Sequence, residues 1–573
     1  MSQLDYIVIV IYLSAILAGG MAFAHSSRDM ESFFGAGGQV PWWINGTSLF
    51  MSFFSAGTFV VWGTIAYELG WVAITMQWTM CVGGVVVGLL IAPRWRRTRA
   101  LTAAGFIQKR FGTGLQQFYS YLILLYGVFA TGAVLYPVAR MTAVATPYSL
   151  TACILTIGGI VVLYTTAGGL WSVLITDTLQ FVILTAAVIV LVPLSIGEIG
   201  GIGALFQEAP DDFFRLVNGE YTPAFILAFS VYHIFLVGGR WGFVQRYTSV
   251  PSEVDAKKVG LLFAGCYLIA PVIWMTPPMA YRIMNPGLTG LDTEGAYILV
   301  SEAVLPGGII GLMFAAMISA TASSANTTLN ITAAVVTNDI YKNLIQPEAS
   351  NQAQMLVARA SNVLIGLLMI GVALLVPAVG GIVNLVISMA ALVIGPIVAP
   401  QIWGLFSRRL TASGALISTL AGLAVNFWFK FATPALFDFS LSRGPEMAIG
   451  VGVPVVCLLG FEVLRSVQHR KDDSFEQAFA GESFATDGQG ELQSIAQNRF
   501  AVGMLALMLS VTGGGLFVLS VFMAGKSWIA VSMGGGIFAL SSLVWWVWTR
   551  IGKLEDSEDE SREAEVSMPV DVE

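Results

Sequence analysis

Met51-Ser52-Phe53-Phe54-Ser55-Ala56-Gly57-Thr58 is a run of small and polar residues at the centre of an otherwise apolar stretch, Trp42 to Trp62. Backbone groups left unpaired in hydrocarbon are costly, so a span interrupted in this way must line a cavity or pack on protein. A second such stretch runs from Tyr221 to Trp241 and ends in Gly238-Gly239-Arg240. The two open two groups of five apolar spans, residues 41–195 and 222–405, and the second group starts from the opposite side of the membrane. Either stretch alone would read as a kinked helix whose Gly and Ser let neighbours pack closely. Their matched places in two inverted halves point instead to a transporter site near the midplane.

Working outward, the whole chain reads as a membrane protein. Of 573 residues, 56% are hydrophobic and 11% charged, whereas soluble domains carry roughly a quarter charged residues. Apolar runs long enough to span recur from end to end, about fifteen in all. The expected fold is all-α and polytopic. The segments are an N-terminal helix and loop (1–40), the core (41–405), further helices (406–466), a polar linker (467–499), two C-terminal helices (500–549) and an acidic disordered tail (550–573). The first apolar run lacks a basic flank and a small-residue cleavage pattern, so it is expected to be retained.

Charge sets the orientation. Alternate loops collect Arg94, Arg96, Arg97, Arg99, Lys109 and Arg110, then Arg246, Lys257 and Lys258, then Arg408 and Arg409. Short basic loops stay cytoplasmic, so the N-terminus is expected outside and the C-terminus in the cytoplasm of a multi-pass plasma-membrane protein. The net charge of −7 owes much to the tail Glu555 to Glu573 and implies no nucleic-acid partner. Cys81, Cys153, Cys266 and Cys457 lie in apolar runs without metal-site spacing. No cluster of catalytic groups falls within the spans, so an enzyme is not expected. No protein partner is called for.

The sharpest chemistry lies in Ala320-Thr321-Ala322-Ser323-Ser324. Ala320, Ser323 and Ser324 stand at i, i+3 and i+4, so one helix face presents two hydroxyls beside a small residue. Hard cations take such oxygen ligands; the competing reading is hydroxyls bonded back to the preceding turn. This segment, continued through Thr337-Asn338-Asp339-Ile340-Tyr341-Lys342, resembles the sodium:solute symporter family. So do Trp42-Trp43, Ala167-Gly168-Gly169-Leu170-Trp171, Thr176-Asp177-Thr178-Leu179-Gln180 and Gln245-Arg246.

The resemblance implies a five-helix inverted-repeat core with one helix before it and several after, and Na⁺ as coupling ion, held by the Met51 and Phe54 carbonyls and by Ala320, Ser323 and Ser324. It implies that Asp177, with Asn326 and Thr327, serves a second Na⁺ or the inner ion exit. Where the family's sugar carriers hold polar solute contacts, this chain has Gly57-Thr58, Tyr267 and Ile387, so a galactose-type pocket is not expected. Ser55, Thr58, Gln77, Tyr232, His233 and Ser388 are the candidates to replace it. The function expected is Na⁺-coupled import of a small organic solute (sugar, amino acid or carboxylate) by alternating access, with no organic cofactor. A proton-coupled carrier of the same architecture is the alternative; a transporter-like sensor would need a signalling domain for which little chain remains.

Overall fold

The computed structural model describes residues 1–24, 40–100, 103–164, 170–468, 474–479, 488–523 and 526–566. Among these, helices carry nearly all the regular structure, as lipid demands. One helix, α1 (Gln3–Ala24), precedes two runs of five. The first run comprises α2 (Trp42–Met51) and α3 (Gly63–Leu69), two pieces of one broken helix, then α4 (Val72–Arg97), α5 (Thr113–Ala145), α6 (Leu150–Tyr164) and α7 (Leu170–Glu198). The second comprises the broken pair α8 (Pro223–Gly239) and α9 (Trp241–Thr248), then α10 (Glu253–Met284), α11 (Ile309–Ala334), α12 (Asn351–Leu375) and α13 (Ile382–Gly404). Four more follow: α14 (Ala412–Phe437), α15 (Arg443–Val467), α16 (Gly488–Phe522) and α17 (Ser527–Val566).

Among the described residues, ten helices are long and apolar enough to cross a membrane, or eleven if α8 and α9, bent by 60° at their junction, count as one span. The other expected spans are α1, α6 and α11, which contribute shorter apolar stretches, and the first broken helix, whose flanking pieces have 10 and 7 residues. The last helix runs on to Val566, into the tail expected to be disordered. Glu, Lys and Arg lose little rotamer freedom in a helix, so a charged segment can prolong an existing one. Ala167-Gly168-Gly169, parts of the linker and the last residues of the tail lie outside the described residues.

Packing places both broken helices at the centre. The α2 helix lies against α7 and α10, α8 against α4 and α13, and α11 against α5, α7 and α1. Small residues allow close approach: a Cβ on Gly260 of α10 would sit 2.4 Å from the Gly88 Cα of α4. The α1 helix is pinned to α11 by Asp5, whose carboxylate accepts from the Gly308 and Gly311 amides at 2.6 and 2.9 Å. The start of a membrane helix leaves N–H groups unpaired, and this carboxylate satisfies two of them.

The two ends of the bundle differ. At the basic end, Arg110 is fully buried and donates to the Ser407 and Leu410 carbonyls at 3.0 and 2.8 Å. It also meets Ser474, in a short helix Ser474–Phe479 of the polar linker. At the opposite end, Glu294 accepts from the Tyr136 hydroxyl at 2.8 Å and from the Ile382 amide at 2.9 Å, while Arg140 lies 3.7 Å away. Gly381 precedes Ile382 with φ +93°, and a Cβ there would come 2.7 Å from Glu294. A side chain would therefore be both strained and in the way.

Candidate functional site

After Met51 the chain turns tightly: the Ser52, Phe53 and Phe54 amides bond back to Ser48, Phe50 and Met51 at 2.8, 3.1 and 2.8 Å. The next free groups are met by side chains. The Thr58 hydroxyl donates to the Phe53 carbonyl at 2.9 Å, and the Gly57 amide donates to Ser55 Oγ at 3.1 Å. The Ala56 amide crosses to α11, donating to Thr321 Oγ1 at 3.0 Å. Thr321 in turn donates to the Met317 carbonyl at 2.8 Å. Thus the break and the hydroxyl-bearing helix are joined directly, one residue from Ala320.

Asp177 on α7 closes the cluster. Ser323 donates to its Oδ1 at 3.0 Å and Ser48 of α2 donates to its Oδ2 at 2.9 Å. Arg246 of α9 stands 4.0 Å from Oδ2 and 3.5 Å from Ser48 Oγ. Four core helices thereby converge on one buried carboxylate. Asp177 and Arg246 are 4% and 2% exposed, and buried charges of this kind persist only when paired and hydrogen-bonded. Arg246, counted above among loop cations, is instead an interior residue. The Ser323 hydroxyl is thus directed to Asp177 on the wall of the cavity.

A cavity of about 270 Å³ lies beside the cluster. Ser52, Phe53, Ser55 and Thr58 of the first break line it, as do Asp177, Ser323 and Ser324. Of the candidate solute residues, Ser55, Thr58, Tyr232 and His233 line it, whereas Gln77 and Ser388 do not. Gln77 turns back along its own helix toward the Ala73 carbonyl at 3.5 Å. Ser388 accepts from Lys430 at 2.9 Å. His233 is tied to Thr79, Nδ1 to Oγ1 at 2.6 Å.

Met51, Phe54 and Ala320 are buried at the break and on the facing helix, and the Met51 carbonyl accepts the Phe54 amide. The side chains of Asn326 and Thr327 lie outside the described residues. Sequence reasoning missed Ser48 and the pairing of Arg246. Ser48 had a signal, since it stands one helical turn before Ser52 on the face that leads into the break.

Broken helices opening two five-helix runs, with a polar cluster and a cavity where they meet, define a secondary transporter. The chain belongs to the sodium:solute symporter family, which it matches over residues 33–422. It is 27% identical to the sodium/sialic acid symporter NanT of Aliivibrio fischeri over 465 residues, covering 78% of this chain and 92% of that one. It is 27% identical to the sodium/glucose cotransporter of Vibrio parahaemolyticus over 474 residues, covering 75% and 86%.

A solved substrate-bound, outward-open Na⁺-coupled sialic acid symporter superposes with a TM-score of 0.69 at 21% identity, covering 82% of this chain and 99% of that one. This likeness gives the fold as an inverted-repeat core. The protein is therefore a multi-pass, Na⁺-coupled carrier of a small organic solute in the plasma membrane, and a transport protein rather than an enzyme.

Proposed function

We propose that Na⁺ binds between the first break and α11, on the Met51 and Phe54 carbonyls, Ala320, Ser323 and Ser324, and leaves past Asp177. The observation that carries this is the Ala56–Thr321 hydrogen bond of 3.0 Å, which holds the Ala320 face against the interrupted helix. Solute occupies the adjacent cavity between the two breaks, against Ser55, Thr58, Tyr232 and His233. Asn326 and Thr327 are the positions for a second ion.

Na⁺ raises solute affinity because it favours the conformation in which both breaks face the solute; coupling requires that difference. With both bound, the core rocks and the site opens to the other side. Fifteen spans with the N-terminus outside and the C-terminus in the cytoplasm place the basic end, with Arg94 and Arg110, inside and Glu294 outside. Inward movement is then driven by about 2.3 kcal/mol per charge per 100 mV plus about 1.4 kcal/mol per tenfold Na⁺ ratio.

The test is uptake into proteoliposomes as a function of Na⁺. Replacing Ser323 and Ser324 together by Ala should raise half-saturating Na⁺ by about a hundredfold or more, since bonds from a neutral group to an ion contribute about 1.5–3 kcal/mol each and about 1.4 kcal/mol is tenfold. Unchanged Na⁺ dependence would remove these residues from the site, and uptake driven equally by a proton gradient would favour the proton-coupled alternative.

A further inference from the structure

The cavity holds more cationic than anionic side chains. Arg240 and Arg246 both line it, and Asp177 is the carboxylate on its wall. Asp177 is already engaged by Ser48, Ser323 and Arg246. Arg240 stands at the junction of α8 and α9, where the helix axis turns by 60°. Its guanidinium lies over the Phe243 ring, 5.0 Å from the centroid, and its hydrogen-bonding contact is the Thr328 hydroxyl at 3.5 Å. Among the described residues no carboxylate pairs with it.

An ionised side chain inside a membrane protein is retained where it faces a partner or a water-filled path. Arg240 faces the cavity, with the N-terminus of α9 beside it adding partial positive charge. Phe243 covers one face of the guanidinium, and its planar edge is suited to two parallel bonds to a carboxylate. Beyond Arg240 the wall includes Trp62, Phe229, Tyr232 and Leu236, beside the polar groups of Ser55, Thr58 and His233, which suits a body that is mostly apolar.

We propose that the transported solute is a small monocarboxylate with a largely apolar body, and that Arg240 is the counter-ion of its carboxylate. The proposal rests on the reading of this cavity as the solute site. Such a solute also offsets the charge of the Na⁺ that travels with it.

The experiment is Na⁺-driven uptake into proteoliposomes of radiolabelled propionate, pyruvate and phenylacetate, set against propionamide, phenylacetamide and glucose. At least one acid should be taken up and its amide should not. Arg240→Gln should raise the KM for that acid at least about tenfold, the loss of a bidentate charged contact, and Arg240→Lys should recover part of it.

Protection of the protein by Na⁺ against heat, measured without solute, reports the ion site separately and should be unchanged in Arg240→Gln. If that protection is absent from the unaltered protein while Arg240 still governs acid uptake, the ion assignment fails and the carboxylate assignment stands. Uptake of glucose or an amide with every acid excluded, transport of no acid at all, or an acid KM unchanged in Arg240→Gln would overturn the proposal.

Discussion

Asp177 shows what one residue can couple. It receives hydroxyls from α2 and α11 and faces a guanidinium from α9, so any change in its contacts is felt by both breaks and by the Ser323 face. Asp177→Asn keeps the shape but removes the charge opposite Arg246, and uncompensating a buried pair costs about 3–5 kcal/mol. We expect turnover to fall more than solute affinity; an uptake rate equal to the parent's would exclude Asp177 from the ion path. Thr321 is a second case. Thr321→Val deletes the acceptor of the Ala56 amide and should lower thermal stability by about 1–3 kcal/mol, the cost of a buried unpaired donor, as read by thermal unfolding in detergent. The hydroxyl-bearing face of α11 was legible, because the spacing of Ala320, Ser323 and Ser324 is local and follows from helix geometry alone. The Asp177–Arg246 approach was not, because it joins residues of different repeats and Arg246 lies in the last turn of a short α9 that reads in sequence like the basic edge of a loop.

At the scale of elements, the N-terminal part of α13 is fastened at the end opposite the basic loops. Glu294 holds its first amide, Arg443 donates to Asn384 at 2.8 Å, and Lys430 donates to Ser388. A π-helical turn, Ala390–Ile394, follows at once, and such turns are frequent at functional sites. Burial raises the Glu294 carboxyl above its ordinary range, more than Tyr136, Ile382 and Arg140 lower it. A carboxyl raised in the folded state takes up its proton there first, so its contribution to stability grows as pH falls toward the unfolded value and is lost as pH rises through the folded one. The melting temperature of the parent relative to Glu294→Gln should therefore increase between about pH 8 and about pH 5; a constant difference would show that Glu294 does not titrate with folding. Helix identity was readable here from apolar length. The fastening was not, since Glu294 sits in a short connecting segment whose partners come from α5 and α13.

For the whole molecule, hydropathy and the two interrupted stretches sufficed to foresee an all-helical inverted-repeat carrier, because lipid leaves few alternatives. The order of spans followed from composition, but which helices face one another did not, and neither did the docking of the linker. Among the described residues, Ser474–Phe479 seats Ala478 at 1% exposure while Phe479 meets Phe106 edge to face, and Arg110 spans from this short helix to the turn after α13. That small clip touches the connection after α4 and the end of the second repeat at once. Motion of one repeat against the other must either carry it along or prise it loose, which makes it a built-in reporter. In a background without Cys81, Cys153, Cys266 and Cys457, a thiol placed by Ala478→Cys should react with a maleimide faster under one ionic condition than the other when Na⁺ is exchanged for choline. Equal rates would mean that the clip travels as part of a rigid frame, and a difference would turn labelling into a clock for the transport cycle.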